Sequence, residues 1–552
     1  LKINRSSPGI GFLDKRYLNV TGDTSTGGLT IQPTTDTLTA LVVNDTDSNN
    51  VLTVDTINNK SSFNGIIDTD AIVLKDGSTK KASLLWGTNT VTLDIFSEEP
   101  TNKITNGTFE TDLTEWDIGN TEETNANGDW VLVPKNDTFV TGAFYAMKYE
   151  AKYDANGDGD GDTPAEADTA SACTGATGCT ADAGLGLDYR DITSFDKEKV
   201  VSTANGAPIV HITQTQAISA CPTGYHLINN NEWMTIARNI DQVDSNWSGG
   251  TVGSGGIFRG NVGNSDTLGY NGTDPEYGTG RDTKARLTLS NGSQVWDLSG
   301  NVWNWTNETI YGGTKPVGNP SAWVEWPTVS DFNGGNVGVG DSSVYLPSNP
   351  NWTSGNGVGQ YYQGSSSGGP YAFLRGGYWY TTSTAGVFAV VLGYAPWNQS
   401  YNLGLRCASD PVDLSLSTSI KYSGTSSMKI DNGSPIDTRI VQSANAGDTS
   451  TYTLIAYAYT DGGAVTNSDL ELWYDSAILS TTYTSVGGGW YRLSGTLTGV
   501  ASSKNYGVEV KANKTVYVDN ISLQAGVGTT QTFNVKNSGT GTVQTDFEDT
   551  VT

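Results

Sequence analysis

The stretch 374–408, LRGGYWYTTSTAGVFAVVLGYAPWNQSYNLGLRCA, interleaves two kinds of residue that ordinarily do not share a segment. One set reads as a frame: Arg375-Gly376-Gly377, Trp379, Ala385 to Ala389, Leu392, Ala395-Pro396 and Leu403 to Cys407. Between the frame positions stand Tyr378, Tyr380, Thr381, Thr382, Thr384, Val391, Gly393, Tyr394, Trp397, Gln399, Ser400 and Tyr401. Tyrosine mixed with small polar residues on a scaffold punctuated by glycine and proline has the composition of an antibody-like paratope, where Tyr and Trp give contact area at low entropic cost. The pattern predicts a ligand-binding surface made of these assorted side chains. Its anchors are expected to be Tyr378, Tyr380, Tyr394, Tyr401 and Trp397, since aromatic residues dominate hot spots.

Composition bounds the rest. A chain of 552 residues is too long for one core, so three or four domains are expected. Lys+Arg number 31 against 58 Asp+Glu, a net charge of −27. Such a surface repels phosphate, which argues against a nucleic-acid or anionic-lipid partner and for an extracellular or cell-surface setting. The 67 glycines, the plentiful Thr and Asn, and the lack of long runs of helix formers predict a mainly β, multidomain chain. No apolar run approaches the ~20 residues that span a bilayer, and residues 1–30 lack a signal-peptide pattern, as suits a mature form or an excised piece.

Four cysteines suggest two disulfides and an oxidising compartment. Cys173 and Cys179 are close enough in sequence to bridge a loop, whereas Cys221 and Cys407 would have to meet through the fold. Structural free thiols or a metal site are the alternatives. With only His211 and His226 in the chain, the composition argues against a zinc cluster.

Residues 1–100 alternate short strands, such as Ala40 to Asn44 and Val51 to Asp55, with polar turns. Few large apolar residues are available there, so intertwined or stacked copies would stabilise the region. The pattern returns in Thr532-Phe533-Asn534, and residues 527–552 read as the start of a further repeat or linker. Both ends resemble the β-repeats of phage tail-fibre and bacterial stalk proteins, which implies a homotrimer through the stalk-like region.

Asn106-Gly107-x-Phe109-Glu110, followed by Trp116, resembles the first strand of jelly-roll carbohydrate-binding modules. The alternating strands that would complete it come far downstream, around Gly424 to Ile430, Thr451 to Tyr459, Gly489 to Leu493 and Val516 to Leu523. The economical reading is a jelly roll of residues 101–125 plus 412–526, with a second domain, 126–411, inserted into one of its loops, where insertions are tolerated. Trp116, Trp473 and Trp490 are candidates for stacking on sugar rings, although Trp116 and Trp490 are assigned to the sandwich core.

Within the insert, Tyr145 to Lys152 reads as an opening strand. After it, Asp154, Asn156, Asp158, Asp160 and Asp162 place oxygen ligands at alternate positions with Gly159 at the sixth, as a calcium loop requires. The twelfth position is Ala165, with Glu166 beside it, a departure from a helix-flanked EF-hand. Asn229 with Glu232 has the form of an N-terminal capping pair, and Trp233, Ile236 and Ala237 give the clearest helical stripe of the chain. His226, with no paired acid close by in sequence, reads as structural. The insert holds eleven of the fifteen tryptophans, which predicts a large aromatic core rather than a ligand platform.

Three runs occur in an order that resembles the formylglycine-generating-enzyme-like branch of the C-type lectin fold: Cys221-Pro222-x-Gly224-Tyr225-His226-Leu227, Trp296-Asp297-Leu298-Ser299-Gly300-Asn301-Val302-Trp303, and Arg375-Gly376-Gly377 with Asn402 to Cys407. The resemblance spans about half the chain, and its last part is similar to the variable region of proteins diversified by retroelements, with Leu405 in the usual Phe place. It implies an α+β lectin-type domain whose assorted positions are rewritten from template asparagine codons. The copper-binding cysteine pair of the sulfatase-activating members falls near Tyr378 and Ser383, neither of them a thiol, which excludes that oxidase chemistry. The resemblance further implies a structural calcium on Asp297, Asn304 and the carbonyls of Gly300 and Val302, where the family more often has Asn then Glu in place of Asp297 then Asn304. It also implies a Cys221–Cys407 disulfide, a long-range closure worth roughly 4–5 kcal/mol in the chain-entropy model.

These readings lead to a non-catalytic, surface-displayed receptor or adhesion protein that binds a variable protein or glycan on another cell or phage. The alternative is an adhesin that recognises glycans through the jelly roll. No Ser-His-Asp spacing or recognisable carboxylate pair supports an enzyme.

Overall fold

The computed structural model describes residues 102–139, 141–162, 187–192, 194–262, 268, 283–316, 322–329 and 345–525, with backbone strands inside 41–95 and 529–534. Cys173, Cys179, Ala165, Glu166 and the stalk-like readings of 1–40 and 535–552 lie outside the described residues. The chain separates into two compact units, one of Leu1–Ile72, Leu84–Leu93 and Gln531–Thr552, the other of Val73–Ser83 and Asp94–Thr530. In the first, Leu41–Asn44, Asn50–Asp55 and Lys60–Phe63 make a three-stranded antiparallel sheet.

The larger unit is built around strands that are apolar at both parities. Such strands must be covered on both faces, because successive side chains point to opposite sides of a sheet. Six strands, β1 (Trp303–Ile310), β2 (Trp323–Val324), β3 (Tyr361–Tyr362), β4 (Tyr371–Gly376), β5 (Gly386–Tyr394) and β6 (Leu403–Gly404), form a sheet ordered β2-β3-β5-β4-β1-β6. On one face Ala372, Leu374, Ala389 and Val391 pack with Trp303, Trp305 and with Ala217 and Ala220 of helix α1 (Gln214–Ala220). On the other, Phe373, Phe388, Val390 and Leu392 pack with Trp233 and Ile236 of helix α2 (Asn230–Ile240). The alternation in β4 and β5 thus feeds two cores at once.

Helix α2 begins where the capping pair lies: the Asn229 side chain accepts from the Glu232 amide, and the Glu232 carboxylate accepts from the Asn229 amide at 2.8 Å. Its Trp233 indole donates to the Val387 carbonyl at 2.8 Å, pinning the helix to β5. Helix α1 is short and has a capping box of its own, Thr213 with Gln216. Among the described residues no helix is long and apolar enough to cross a membrane.

A second sheet of this body is ordered Tyr225–Leu227, Cys407–Ser409, Phe144–Met147, Gly128–Val133, Glu122–Asn125. The opening strand is shorter than expected, Phe144–Met147, and it pairs through Ala146 with Ala408 near the end of the body. Cys221 and Cys407 are disulfide-bonded with Cα atoms 5.7 Å apart, across a sequence separation of 186. His226 is not without an acid: its Nε2 lies 2.9 Å from Glu232 Oε1, and its Nδ1 lies 3.6 Å from Asp410 Oδ1. Only the pairing of Tyr225–Leu227 with Cys407–Ser409 brings Asp410 to it. Trp130, Trp233, Trp247, Trp303, Trp305 and Trp326 are buried, six of the insert's eleven, while Trp296, Trp323, Trp352 and Trp379 are half-buried and Trp397 is exposed.

The remaining strands form a β-sandwich. One sheet is ordered Val412–Ser417, Ser427–Asn432, Lys514–Ala525, Thr451–Tyr459, Trp490–Thr498, Thr482–Gly487, and the other Ala477–Ile478, Leu470–Tyr474, Ser503–Val510, Thr438–Asn445, Asp117–Ile118. Ile104, Phe109 and Trp116 are buried in its core with Leu454, Leu472 and Val508. Trp490 lies instead in a smaller cluster with Val486 and Tyr517, against Tyr422, Tyr457 and Tyr459. Trp473 is covered by the Arg439 guanidinium, 4.0 Å over its ring. The two-sheet body and the sandwich meet where the chain passes between them. There the Val412 amide donates to the Ala143 carbonyl at 2.6 Å, the Arg439 amide to Asn120 Oδ1 at 2.9 Å, and the Arg439 side chain pairs with Glu123 at 2.8 Å.

Two outcomes follow for stability. Reduction of Cys221–Cys407 should lower unfolding free energy by roughly 4–5 kcal/mol, read as a drop in the denaturant midpoint, and an unchanged midpoint would show that the closed loop carries no such entropy. Burial alone would lower the His226 pKa, but the hydrogen bond and charge of Glu232 and the charge of Asp410 raise it above its ordinary value. A raised folded-state pKa contributes stability that is fully present below about pH 6.5 and is lost as pH rises through the folded value. The stability difference between the protein and its His226→Gln variant should therefore shrink from pH 5.5 to pH 8.5; a pH-independent difference would contradict the pairing.

Candidate functional site

The hairpin β4–β5 and the segment after it carry the assorted positions. Residues 377–385 close the hairpin at its Gly376/Gly386 end, while 395–402 start from the Ala372/Tyr394 end and run back to β6, which pairs with Trp303 and Asn304 of β1. Gly377 has φ +113°, and a Cβ there would stand 2.6 Å from that of Ala385, so the turn admits glycine alone. The returning segment is held from below, because the His211 amide donates to the Ser400 carbonyl and the Gln214 amide to the Pro396 carbonyl, both at 3.0 Å.

Tyr380 is 70% exposed, Trp397 66% and Tyr394 38%, and Thr382 and Gln399 are exposed as well. Tyr378, Thr381, Thr384, Gly393, Ser400 and Tyr401 are half-buried. Two of the expected contacts need correction. Val391 is only 4% exposed and packs in the core beside Ala389, because its parity in β5 turns it under the half-buried rings of Tyr362, Tyr378 and Trp323. Thr381 keeps its place in the turn, but its hydroxyl is engaged by the Tyr378 main chain, accepting from the amide at 3.0 Å and donating to the carbonyl. Conversely, Ser383 and Asn398 are exposed among the assorted residues. Trp379, assigned to the frame, is half-buried and meets Tyr378 and Tyr380 edge-on at 6.2 and 5.4 Å.

The tyrosines occupy one neighbourhood. Burial first, then the nearness of Tyr401, Tyr394 and Tyr380, raises the pKa of Tyr378; burial, then Tyr362 and Tyr401, does the same for Tyr394. Both hydroxyls stay protonated at neutral pH and are available as hydrogen-bond donors. Tyr362 and Trp323 extend the aromatic surface, 5.3 Å apart, with Trp323 stacked on Trp303 at 6.1 Å. Sequence reading missed these two, since nothing local distinguishes a tryptophan at the margin of a core from one inside it. Gly393 lies under Tyr362, whose Cε1 would be 3.2 Å from an added Cβ.

Beneath the face lies the turn 297–304. The Trp379 amide donates to the Asn301 carbonyl at 2.9 Å and the Trp303 amide to the Asn402 carbonyl at 2.8 Å, so this turn supports both loops. Asp297, Val302 and Asn304 are buried, and Gly300 has φ +85° with no room for a Cβ, which would stand 2.2 Å from the Asn261 carbonyl oxygen. The turn surrounds Glu150, a fully buried carboxylate. Asn304 Nδ2 donates to Glu150 Oε1 at 3.1 Å and to the Val302 carbonyl at 3.1 Å, and Asn301 Nδ2 donates to Glu150 Oε2. Burial, and then the charge of Asp297, hold Glu150 well above the ordinary carboxylate range, against the opposing charge of Arg406. Asn304 Oδ1 is buried with no hydrogen-bond partner. Two buried carboxylates that act on each other and an orphaned amide oxygen are oxygen donors of the kind a hard cation takes, so the residues would fit the calcium that the motif implies.

The acidic loop is different. Asp154 accepts from the amides of Gly157 at 2.6 Å and Gly159 at 3.1 Å, and Asp162 Oδ2 accepts from the Ala155 amide at 3.0 Å, so both are buried and turned onto backbone amides. Asn156 and Asp158 are exposed in successive Asx turns, with Asp160 half-buried beyond them. The structure does not gather these five side chains around a point. Among the described residues no three acidic, histidine or cysteine side chains converge in a metal-holding group.

The fold and site define a mainly β chain in which a body containing helices α1 and α2 carries an aromatic surface beside a β-sandwich. No protein-family model and no curated protein matches it. Among solved structures it is similar to the Major Tropism Determinant I1 variant, at 16% identity over 65% of this chain and 94% of that one with a TM-score of 0.23, and to the P3c variant, at 17% identity, the same coverages and a TM-score of 0.23. The CBM22-1 xylan-binding domain from Paenibacillus barcinonensis Xyn10C is similar at 15% identity over 21% of this chain and 81% of that one, with a TM-score of 0.17.

The burial pattern makes a contrast that unfolding measurements resolve. Tyr380→Ala and Trp397→Ala should each change stability by less than about 0.5 kcal/mol, whereas Val391→Ala should cost about 1–3 kcal/mol. Equal losses at all three positions would mean that the aromatic residues are packed rather than displayed.

Proposed function

We propose that this chain is a non-catalytic, surface-displayed ligand-binding protein of the receptor or adhesion type, whose lectin-fold segment presents a diversified face. The observation that carries the reading is the contrast within 374–408. Eleven of the twelve assorted positions have exposed or half-exposed side chains, while Arg375, Ala385 to Leu392 and Leu403 to Cys407 are buried. A rigid frame with variable display is what rewriting by a retroelement requires.

The face has a further property that bears on its ligand. From Gly376 to Leu405 the sequence contains no Asp, Glu, Lys, Arg or His, although the whole protein carries a net charge of −27. Affinity then comes from aromatic area, amides and hydroxyls, and little of it from ionic attraction. Calcium at the 297–304 turn is read as structural: the ion would neutralise Asp297 and Glu150 beneath the two loops without touching the ligand. An extracellular or cell-surface setting and a protein or glycan partner belong to the same reading.

The test is a displayed library of the full chain, randomised at the exposed or half-exposed positions other than Thr381 and Gly393, and selected against ubiquitin as a near-neutral target. Most members should keep a melting temperature near that of the parent, and selected binders should lose less than about threefold in affinity between 50 and 500 mM NaCl. General unfolding of the library would overturn the reading. In the genome, a second copy of the 374–408 coding stretch with asparagine codons at the assorted positions, beside a reverse transcriptase gene, would support diversification, and a locus with neither would remove it.

A second reading, glycan recognition by the sandwich, has one observation behind it: Tyr422 stacks on Tyr457 at 4.1 Å, next to Trp490 and Tyr459, on the outer side of its six-stranded sheet. On a glycan array, signal lost in Tyr459→Ala and kept in Tyr380→Ala with Trp397→Ala would favour this second reading over the first.

A further inference from the structure

We propose that Glu150 is itself a ligand of the cation at the 297–304 turn, supplying from a separate segment the carboxylate that Asn304 lacks. The inference deepens the calcium reading above and depends on it. Three features of the pocket argue for it, and none needs a protonation state.

The first is the position of the Asn304 amide. Its Nδ2 bridges two oxygens, Glu150 Oε1 and the Val302 carbonyl, each at 3.1 Å, while its Oδ1 is left buried with no hydrogen-bond partner. Rotating the amide end for end would put Oδ1 on the side where these two oxygens already converge. A carboxylate oxygen, a main-chain oxygen and an amide oxygen would then lie together, with the buried acid Asp297 on the same turn.

The second is enclosure. Glu150, Asp297, Val302 and Asn304 are each at most 2% exposed, so water does not screen the carboxylates from one another. Arg406 is the cationic side chain acting on Glu150, and its guanidinium also donates to the carbonyls of Met147 and Trp296, the latter at 2.6 Å. The third is chemistry: every candidate ligand atom is oxygen, which selects calcium or another hard divalent ion over zinc or copper.

The rival account makes Glu150 a plain partner of Arg406 and the two asparagines. The two accounts separate in a calorimetric titration of EDTA-treated full-length protein with CaCl2, paired with thermal unfolding. The wild type should take up calcium with a rise in melting temperature. Glu150→Gln should lose one bound ion, or weaken it about tenfold or more, and its melting temperature should no longer respond to calcium. A control with Asp158→Asn and Asp160→Asn should keep that ion.

If Glu150→Gln binds as the wild type does while Asp297→Asn does not, the proposal fails and the calcium reading of the turn survives. If the wild type takes up no ion that Asp297→Asn abolishes, both fail. Neither outcome bears on the aromatic face, which is tested by display. Should Glu150→Gln not fold, Glu150→Asp, which keeps the charge and shortens the reach, must bind more weakly than the wild type for the proposal to stand.

Discussion

A guanidinium without solvent contact holds together the body that carries the aromatic face. Arg375, on β4, is fully buried; its Nε and Nη2 both donate to Asn230 Oδ1 at the start of α2, and its Nη1 donates to the Phe388 carbonyl on β5 at 3.2 Å. Burial brings its pKa down to about 10, with Tyr345 and Glu308 acting the other way, so it remains charged at neutral pH. Glu308 accepts the Asn230 amide at 2.8 Å and completes the junction. A buried charge tolerates few geometries, because any donor left without an acceptor is costly. Two strands and a helix are thereby fixed to one another before either loop of the face begins.

That rigidity explains how an aromatic surface can be displayed on a strongly acidic protein. The protein carries a net charge of −27, while the face itself is uncharged from Gly376 to Leu405. The loops need no charges of their own to hold them, since main-chain bonds from His211, Gln214, Asn301 and Trp303 secure them from beneath. Few side chains at the surface have a structural duty: Thr381 bonds the Tyr378 main chain, Asn398 Oδ1 accepts from the Ala395 amide at 2.6 Å, and Tyr378 packs against the core.

Residue type made part of this legible. Glycines, alanines and a proline mixed with isolated tyrosines mark a frame, and the capping pair Asn229 and Glu232 marks the start of α2 without any knowledge of the fold. Direction within a doubly buried strand was not legible. Val391 and its neighbours are apolar on both sides, and only the placement of β3 and α1 shows which parity lies under the face. Glu150 reads as one more residue of an opening strand until the turn around Asp297 is brought against it, and His226 meets Asp410 only through strand pairing. Contacts of this kind depend on long-range register, which local pattern does not encode.

The sandwich has a mechanical consequence. Lys103 bonds to Leu523 and Ile521 to Gly107 at one pole, next to Ala525, whereas Val412, Asn120 and Asp437 meet the two-sheet body at the opposite pole. Tension drawn along the chain on either side of residues 102–525 therefore peels a few backbone bonds at the near pole. It reaches neither the sulfur bridge nor the sheet that carries the tyrosines. While the sandwich stays folded, the body hangs outside the line of force.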